Sequence, residues 1–373
     1  MKLLIVLENI VMDGVKRAAT VVGNALTEYA DVTYYSLEDV APYYELDADL
    51  VIAKRPASSH VLNFFGENPY ERYKPQIEDL CNFIQEEKFQ TVILPAGLTT
   101  SFAPLIKNQT PEVRVIAWMH NNYKTYLTQY YQLMKSEFVQ GLKAADVVVV
   151  LTESDYINYR QFNEKTVKIY NPLTIVPEEK ADLSAHTIAF TARIAIQHKG
   201  IDFLLEAAQY LPDDWKIAMA GEGSDEDMEI FKQLVKKFDV ADKIIYRGAL
   251  KDEELQAHYE TASIFVSTSR WEGMPLVIGE AMGFGLPIVA MENTGSREFL
   301  GNSEYGILTK AQDVPDFVAG LNKLIVSEPL RRTYAKKSCK RIRSSFMLDK
   351  IIKQWLPILS DDDNSKRMLK CAQ

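Results

Sequence analysis

Apolar residues fall along this chain in short, often β-branched blocks, separated by longer stretches with helical spacing. In the first half the blocks are Leu3 to Leu7, Val32 to Tyr35, Leu50 to Ala53, Thr91 to Leu94, Val113 to Trp118 and Val147 to Leu151. In the second half they are Thr187 to Phe190, Lys216 to Ala220, Ile244 to Arg247, Ile264 to Ser267 and Pro287 to Met291. Strands alternating with helices imply parallel sheets covered on both faces, and so many strands divide more naturally into two sheets than one. The expected fold class is therefore α/β, with two Rossmann-like, doubly wound domains. Between the two series, 170-YNPLTIVPEEKADLSAH-186 brings two prolines and a polar, charged run, which predicts an interdomain linker.

The run 273–291 carries one formal charge, Glu280, and is long enough to raise the question of a membrane span. Gly279 and Gly283 even form a Gly-x-x-x-Gly pair. Against a span stand Pro275, Pro287, Gly273 and Gly285, and a mid-membrane carboxylate costs about 2.5–3.5 kcal/mol on insertion scales. A short helix starting near Pro275 and ending near Phe284, followed by a buried strand, fits better. Near the C-terminus, 331-RRTYAKKSCKRIRSSF-346 is rich in Lys and Arg. A solvated helix face is the favoured reading, and attraction to an anionic membrane surface, as a peripheral association, is the sharper alternative. The last helix, with Ile351, Ile352 and Trp355, is expected to dock, and the tail 361–373 to be solvated.

With 373 residues, 47% of them hydrophobic, the chain can bury large cores, and length alone favours more than one domain. A net charge of −9 argues against nucleic acid as a partner, because that binding draws its strength from Lys and Arg on phosphates. The three cysteines, Cys81, Cys339 and Cys371, are scattered, with no metal-ligand or disulfide spacing, which fits a reducing, cytoplasmic setting. The acidic runs Asp47 to Asp49 and Asp225 to Asp227 are read as solvated or capping groups, so no metal is expected.

Ligands of open parallel sheets bind beyond the carboxyl ends of the strands, so the position of each polar motif relative to its strand is the test. Asp13 to Arg17 follows the first strand, and His120 to Asn122 follows Val113 to Trp118. In the second half Arg193 to Gly200, Gly221-Glu222-Gly223, Arg247-Gly248 and Glu272 to Pro275 each follow or end a strand. Six such loops describe a cleft between two domains. Arg193 and Lys199, six apart and without acidic neighbours in their loop, could converge on one polyanion; two solvated cations are the plain alternative. Gly221 and Gly223 permit close backbone approach, or simply make a turn. Ser224 with Asp227 predicts a helix cap. A lone histidine such as His120 is more often structural than catalytic. Backbone N–H groups around Met274, Leu276 and Val277 would open a helix as an anion site, with Glu272 just before it and Glu280 beside the anion as the helix's one polar reach into the cleft.

These residues resemble the retaining glycosyltransferases of family 4, with their two-domain GT-B architecture. Glu272 and Glu280 match that family's Glu-x7-Glu motif within EGMPLVIGEAMGFGLPIVA; Arg193, Lys199 and Gly200 match its Arg-x5-Lys-Gly element; Gly221 and Gly223 match its Gly-x-Gly turn. The resemblance implies an acceptor-side domain over 1–172, a nucleotide-sugar domain over 173–345, and a helix within 346–373 that crosses back to the first domain. It implies that Glu280 binds the donor ribose, that Arg193 and Lys199 hold the diphosphate, and that Glu272, Gly273 and His120 lie by the donor sugar. Gly14 and Arg17 resemble the family's first glycine-rich loop, and Arg247 joins the donor-side set. Ala192 and Asp13 depart from its usual glycines. The expected activity is metal-independent transfer, with retention, from a nucleotide-sugar (UDP most often, GDP remaining open) to a glycan, lipid-linked or protein-linked acceptor in cell-surface polysaccharide or glycoconjugate synthesis. No other cofactor is implied. The rival readings are a non-catalytic partner subunit, disfavoured by the charged donor residues, and an epimerase of the same fold.

Overall fold

In a computed structural model, described for residues 1–58, 67–177 and 179–360, the chain divides into two compact units. One comprises 1–174 with 347–373, the other 175–346. Cys371 and the tail 361–373, expected to be solvated, lie outside the described residues.

The first unit is built on a seven-stranded parallel sheet in the order β3-β2-β1-β4-β5-β6-β7. Its strands are β1 (Lys2–Leu7), β2 (Asp31–Glu38), β3 (Asp49–Ala57), β4 (Thr91–Pro95), β5 (Arg114–Trp118), β6 (Val147–Val150) and β7 (Thr166–Lys168). Every residue of β1 from Leu3 to Leu7 is buried, as a parallel strand covered on both faces must be. Leu4, Val6, Val92, Leu94, Val115, Ala117, Val148 and Val150 pack one face into a continuous core; each fully buried aliphatic of this size contributes about 1.5–3 kcal/mol. The helix Leu348–Trp355 belongs to this unit and carries Trp355 edge-on to Trp118, centroids 4.7 Å apart. Just beyond it, the carbonyls of Ile358 and Leu359 accept from Arg114 Nε (2.6 Å) and Thr91 Oγ1 (2.7 Å).

The second unit holds a six-stranded parallel sheet, β10-β9-β8-β11-β12-β13. Here β8 is Thr187–Thr191, β9 Lys216–Ala220, β10 Ile244–Tyr246, β11 Ile264–Ser267, β12 Ile288–Met291 and β13 Ile307–Thr309. Ile188, Phe190, Ile217, Met219, Ile264, Val266, Val289 and Met291 form the strand side of its core. The eleven blocks read from the pattern all appear as strands. The structure adds β7 and β13, edge strands of three residues each, too short to show a period.

The run 273–291 resolves into the helix Leu276–Gly283 and strand β12. Pro275 is the residue before the helix, not within its first turn. Among the described residues no helix is long and apolar enough to cross a membrane. Part of the basic run is structural: in the helix Glu328–Ser345, Arg331 is buried and donates to the carbonyls of Leu183 (2.8 Å) and Leu324 (2.7 Å).

Because Trp355 is fully buried against Trp118, Trp355→Ala should destabilise the first unit by about 3–5 kcal/mol. Urea unfolding followed by far-UV circular dichroism measures this, and a loss under 1 kcal/mol would show that the helix does not hold the unit.

Candidate active site

In the second sheet β8 lies between β9 and β11, where the strand order reverses, so the loops after these three strands are neighbours at the carboxyl edge. Strand β12, beside β11, adds the loop that follows it.

The loop after β8 is fastened first to β9. Ala192 N–H donates to Ala220 O (3.0 Å) and Ile194 N–H to Glu222 O (2.8 Å), extending the strand pairing past both ends. Gly221 has φ of +141°, and a Cβ on Gly221 or Gly223 would collide with the carbonyl of Ala192 or Ile194. The Gly-x-Gly turn therefore serves contact between two backbones. Asp227, cap partner of Ser224, also accepts from Ile196 N–H (3.1 Å), seating the one-turn helix Ile196–Lys199. Arg193 is exposed on this tethered loop, and its side chain has no partner among the described residues.

Glycine at position 200, with φ of +61°, turns the chain where a Cβ would strike the Thr268 carbonyl. This close approach brings in the loop after β11: Thr268 Oγ1 donates to Lys199 O (3.0 Å), and Arg270 N–H to His198 O (2.9 Å). The Arg270 guanidinium binds Asp202 (2.6 Å) and the carbonyl of Gln197 (3.0 Å). From the other side Asn293 Nδ2 donates to Ser269 O (3.0 Å), and Thr294 Oγ1 to Glu272 O (2.8 Å). Gly295 packs where any side chain would collide with Gly273 and Pro275.

These fixings present Glu272, 8% exposed, to Lys199: Oε1 to Nζ is 2.6 Å. Burial pushes the Glu272 carboxyl upward, but the charge and hydrogen bond of Lys199, with help from His198 and Ser269, outweigh it and hold the group below its usual range. His198 lies flat on Trp271, centroids 4.7 Å apart and planes 6° from parallel, and its Nε2 is 3.0 Å from the Trp271 carbonyl. A carbonyl only accepts, so Nε2 carries the proton. Burial, then Lys199, pushes the imidazole down to about 4, so it is neutral near pH 7.

Met274 is buried, while Leu276 and Val277, the first two residues of the helix, are half-buried. Arg247 sits just past β10, its N–H on Met219 O (2.9 Å). Glu280 differs from expectation. It is 0% exposed and accepts from Tyr259 Oη (2.9 Å), so it is a core carboxylate and not a polar reach into an open cleft. The cause is the helix's position, buried against β11, β12 and the helix Glu328–Ser345.

In the first unit Gly14 and Arg17 lie in the opening turn of the helix Gly14–Leu26, capped by Asp13, where a loop was expected. The buried group there is Lys16, paired with Glu8 (3.2 Å) and Asp13 (2.6 Å). Burial would lower its pKa, and the two carboxylates reverse that and raise it. His120 is 8% exposed and packs on Trp118 (4.3 Å), and among the described residues neither ring nitrogen has a hydrogen-bond partner. Burial, then the nearby Lys16 charge, pushes it down to about 3, so it does not carry a proton near neutral pH. Sequence reasoning passed over His198 and Lys16. Lys16 had a signal: it falls on the stripe with Ala19, Thr20 and Gly23 that the helix buries.

Residues 174–341 match the family model for glycosyl transferases group 1. The architecture of two parallel-sheet Rossmann-like domains is the GT-B fold, and fold and family match together support a glycosyltransferase. Over 354 residues the chain is 27% identical to an uncharacterized glycosyltransferase of Haemophilus influenzae, covering 93% of this chain and 96% of that one. It is 26% identical to the amylovoran biosynthesis glycosyltransferase AmsD of Erwinia amylovora, covering 96% and 99%. The crystal structure of Anabaena HepE in complex with UDP and glucose superposes with a TM-score of 0.78 at 14% identity, over 95% of this chain and 98% of that one.

Lys199→Met leaves Glu272 buried without its partner and should cost about 3 kcal/mol; the double variant Lys199→Met/Glu272→Leu should recover most of it. Additive losses in urea titrations would refute that coupling. His120, His198 and His258 are all pushed down, to about 3, 4 and 4, from an ordinary value of 6.5, chiefly by burial. Below pH 6.5 the unfolded chain takes up protons that the folded chain refuses, so the stability present above 6.5 is lost as pH falls toward 4. The slope near pH 5 approaches about 4 kcal/mol per unit for the three together. Denaturant titrations at several pH values test this, and His198→Gln should remove about a third of the slope.

Proposed function

We propose that the protein is a retaining glycosyltransferase that moves a hexose or N-acetylhexosamine from a UDP-sugar to a hydroxyl of a glycan, lipid-linked or protein-linked acceptor. The observation that carries this reading is the set Arg193, Lys199 and Glu272, held on loops that meet where the second sheet reverses its order. The UDP and glucose in HepE, and the biosynthetic role in the name of AmsD, support the donor class and a setting in polysaccharide assembly. A cytoplasmic location fits that setting.

The barrier to breaking a nucleotide-sugar bond falls when the leaving diphosphate's growing charge is met by groups already in place. Arg193 supplies an exposed guanidinium on a fixed backbone. Lys199 is directed by Glu272, and the opening turn of Leu276–Gly283 adds N–H groups that have no acceptor within the helix. With the leaving charge met by these groups, the reaction is proposed to run without a divalent ion. Retention is proposed to follow attack on the face the diphosphate leaves, with a phosphate oxygen taking the hydroxyl proton. Ionised Glu272 is then proposed to orient the sugar. For Glu280 to accept from ribose hydroxyls, the side chains that cover it must part; a carboxylate has capacity for Tyr259 and ribose together.

A thermal-shift panel of UDP-, GDP- and ADP-sugars tests the donor class, since a ligand that binds only the folded state stabilises it by about 2.7 kcal/mol at one hundred times its Kd. A shift with UDP-sugars alone is expected, and no shift with any of them would sink the proposal. With the donor in hand, Arg193→Ala should lower kcat about 10²- to 10³-fold, and EDTA should leave the wild-type rate unchanged.

A further inference from the structure

Three contacts converge on His198, and a fourth lies beside it. Its ring stacks on the Trp271 indole, its Nε2–H donates to the Trp271 carbonyl, its own carbonyl accepts from Arg270, and its neighbour Lys199 grips Glu272. The Trp271 carbonyl belongs to the peptide bond that leads into Glu272. Whatever fixes that peptide plane fixes the direction in which the Glu272 side chain leaves the backbone. On its other side this segment is held through the Glu272 carbonyl by Thr294. His198 and Thr294 therefore grip successive carbonyls of one short loop.

We propose that His198 is a positioning residue: by holding the Trp271–Glu272 peptide it keeps Glu272 in the one orientation that meets Lys199. The proposal rests on the reading of Glu272 and Lys199 as donor-site groups. Proton transfer is not its task, because Nε2–H is committed to a carbonyl. The charged groups facing it are Lys199 and Arg193 from its own loop and Glu272, 3.9 Å from Nε2, from the loop after β11; Arg270 is engaged by Asp202. A neutral ring suits this place, since a second cation beside Glu272 would compete with Lys199 for it.

The test uses the full chain with His198→Ala, His198→Gln and His198→Phe. Glutamine keeps a donor that can reach the carbonyl, and phenylalanine keeps the stack alone. The first measurement is the titration of the Glu272 carboxyl by 13C NMR, assigned with Glu272→Gln. Its midpoint lies below the ordinary carboxylate range in the wild type and should rise in the alanine and phenylalanine variants while staying low with glutamine. The second is turnover of whichever nucleotide-sugar gives the largest thermal shift: kcat should fall about 10- to 100-fold in His198→Ala with KM within about threefold, and His198→Gln should restore it. An unmoved Glu272 midpoint in His198→Ala overturns the proposal, and so does rescue by phenylalanine without rescue by glutamine. If alanine prevents folding, the contrast between glutamine and phenylalanine decides. Failure of every nucleotide-sugar to bind would instead sink the glycosyltransferase reading, and the NMR arm would still decide the role of His198.

Discussion

The ion pair between Lys199 and Glu272 is the interaction around which the second unit's loops are arranged. Bringing both charges out of water costs several kcal/mol each, and mutual attraction repays this only when the geometry is tight. That requirement accounts for the density of fixings nearby. Gly200 lets the loop after β8 touch the Thr268 carbonyl, Gly221 and Gly223 let the same loop lie against the end of β9, and Asn293 and Thr294 anchor the far side. Each anchor comes from a strand beside β8 or β11, so the parallel order of the sheet is what makes the pair affordable. A loop free to move would lose the contact first.

Much of this was legible in the sequence because parallel strands are buried on both faces and so leave continuous apolar blocks. The two strands that escaped, Thr166–Lys168 and Ile307–Thr309, sit at sheet edges with three residues each. The polar motifs were legible through position, each following a strand. What they touch was not. Gly221 and Gly223 were open to a role against a ligand, and the structure presses them against Ala192 and Ile194, a contact between residues about thirty apart that no local pattern encodes. Glu280 looked like a helix's polar face, yet the helix is buried from Ile278 to Gly283. His198 lay inside the Arg-x5-Lys spacing as filler, and its partner Trp271 becomes visible only once the loops after β8 and β11 are known to be adjacent.

Arg193 and Lys199 began as equals, two cations six residues apart that could converge on one anion. Their environments separate them. The charge of Lys199 is spent on Glu272, whereas Arg193 stands exposed with no partner among the described residues. The loop therefore presents one positive charge without a counter-charge on the loops around it, Arg193, and a second, Lys199, aimed by its pair with Glu272. The neutral state of His198 completes this balance. Were it a cation, Glu272 would be drawn toward Nε2, now 3.9 Å away, and the hold on Lys199 at 2.6 Å would weaken. Burial against Trp271 and the adjacent lysine keep the proton off the ring, so the same packing that fixes the loop also fixes its charge.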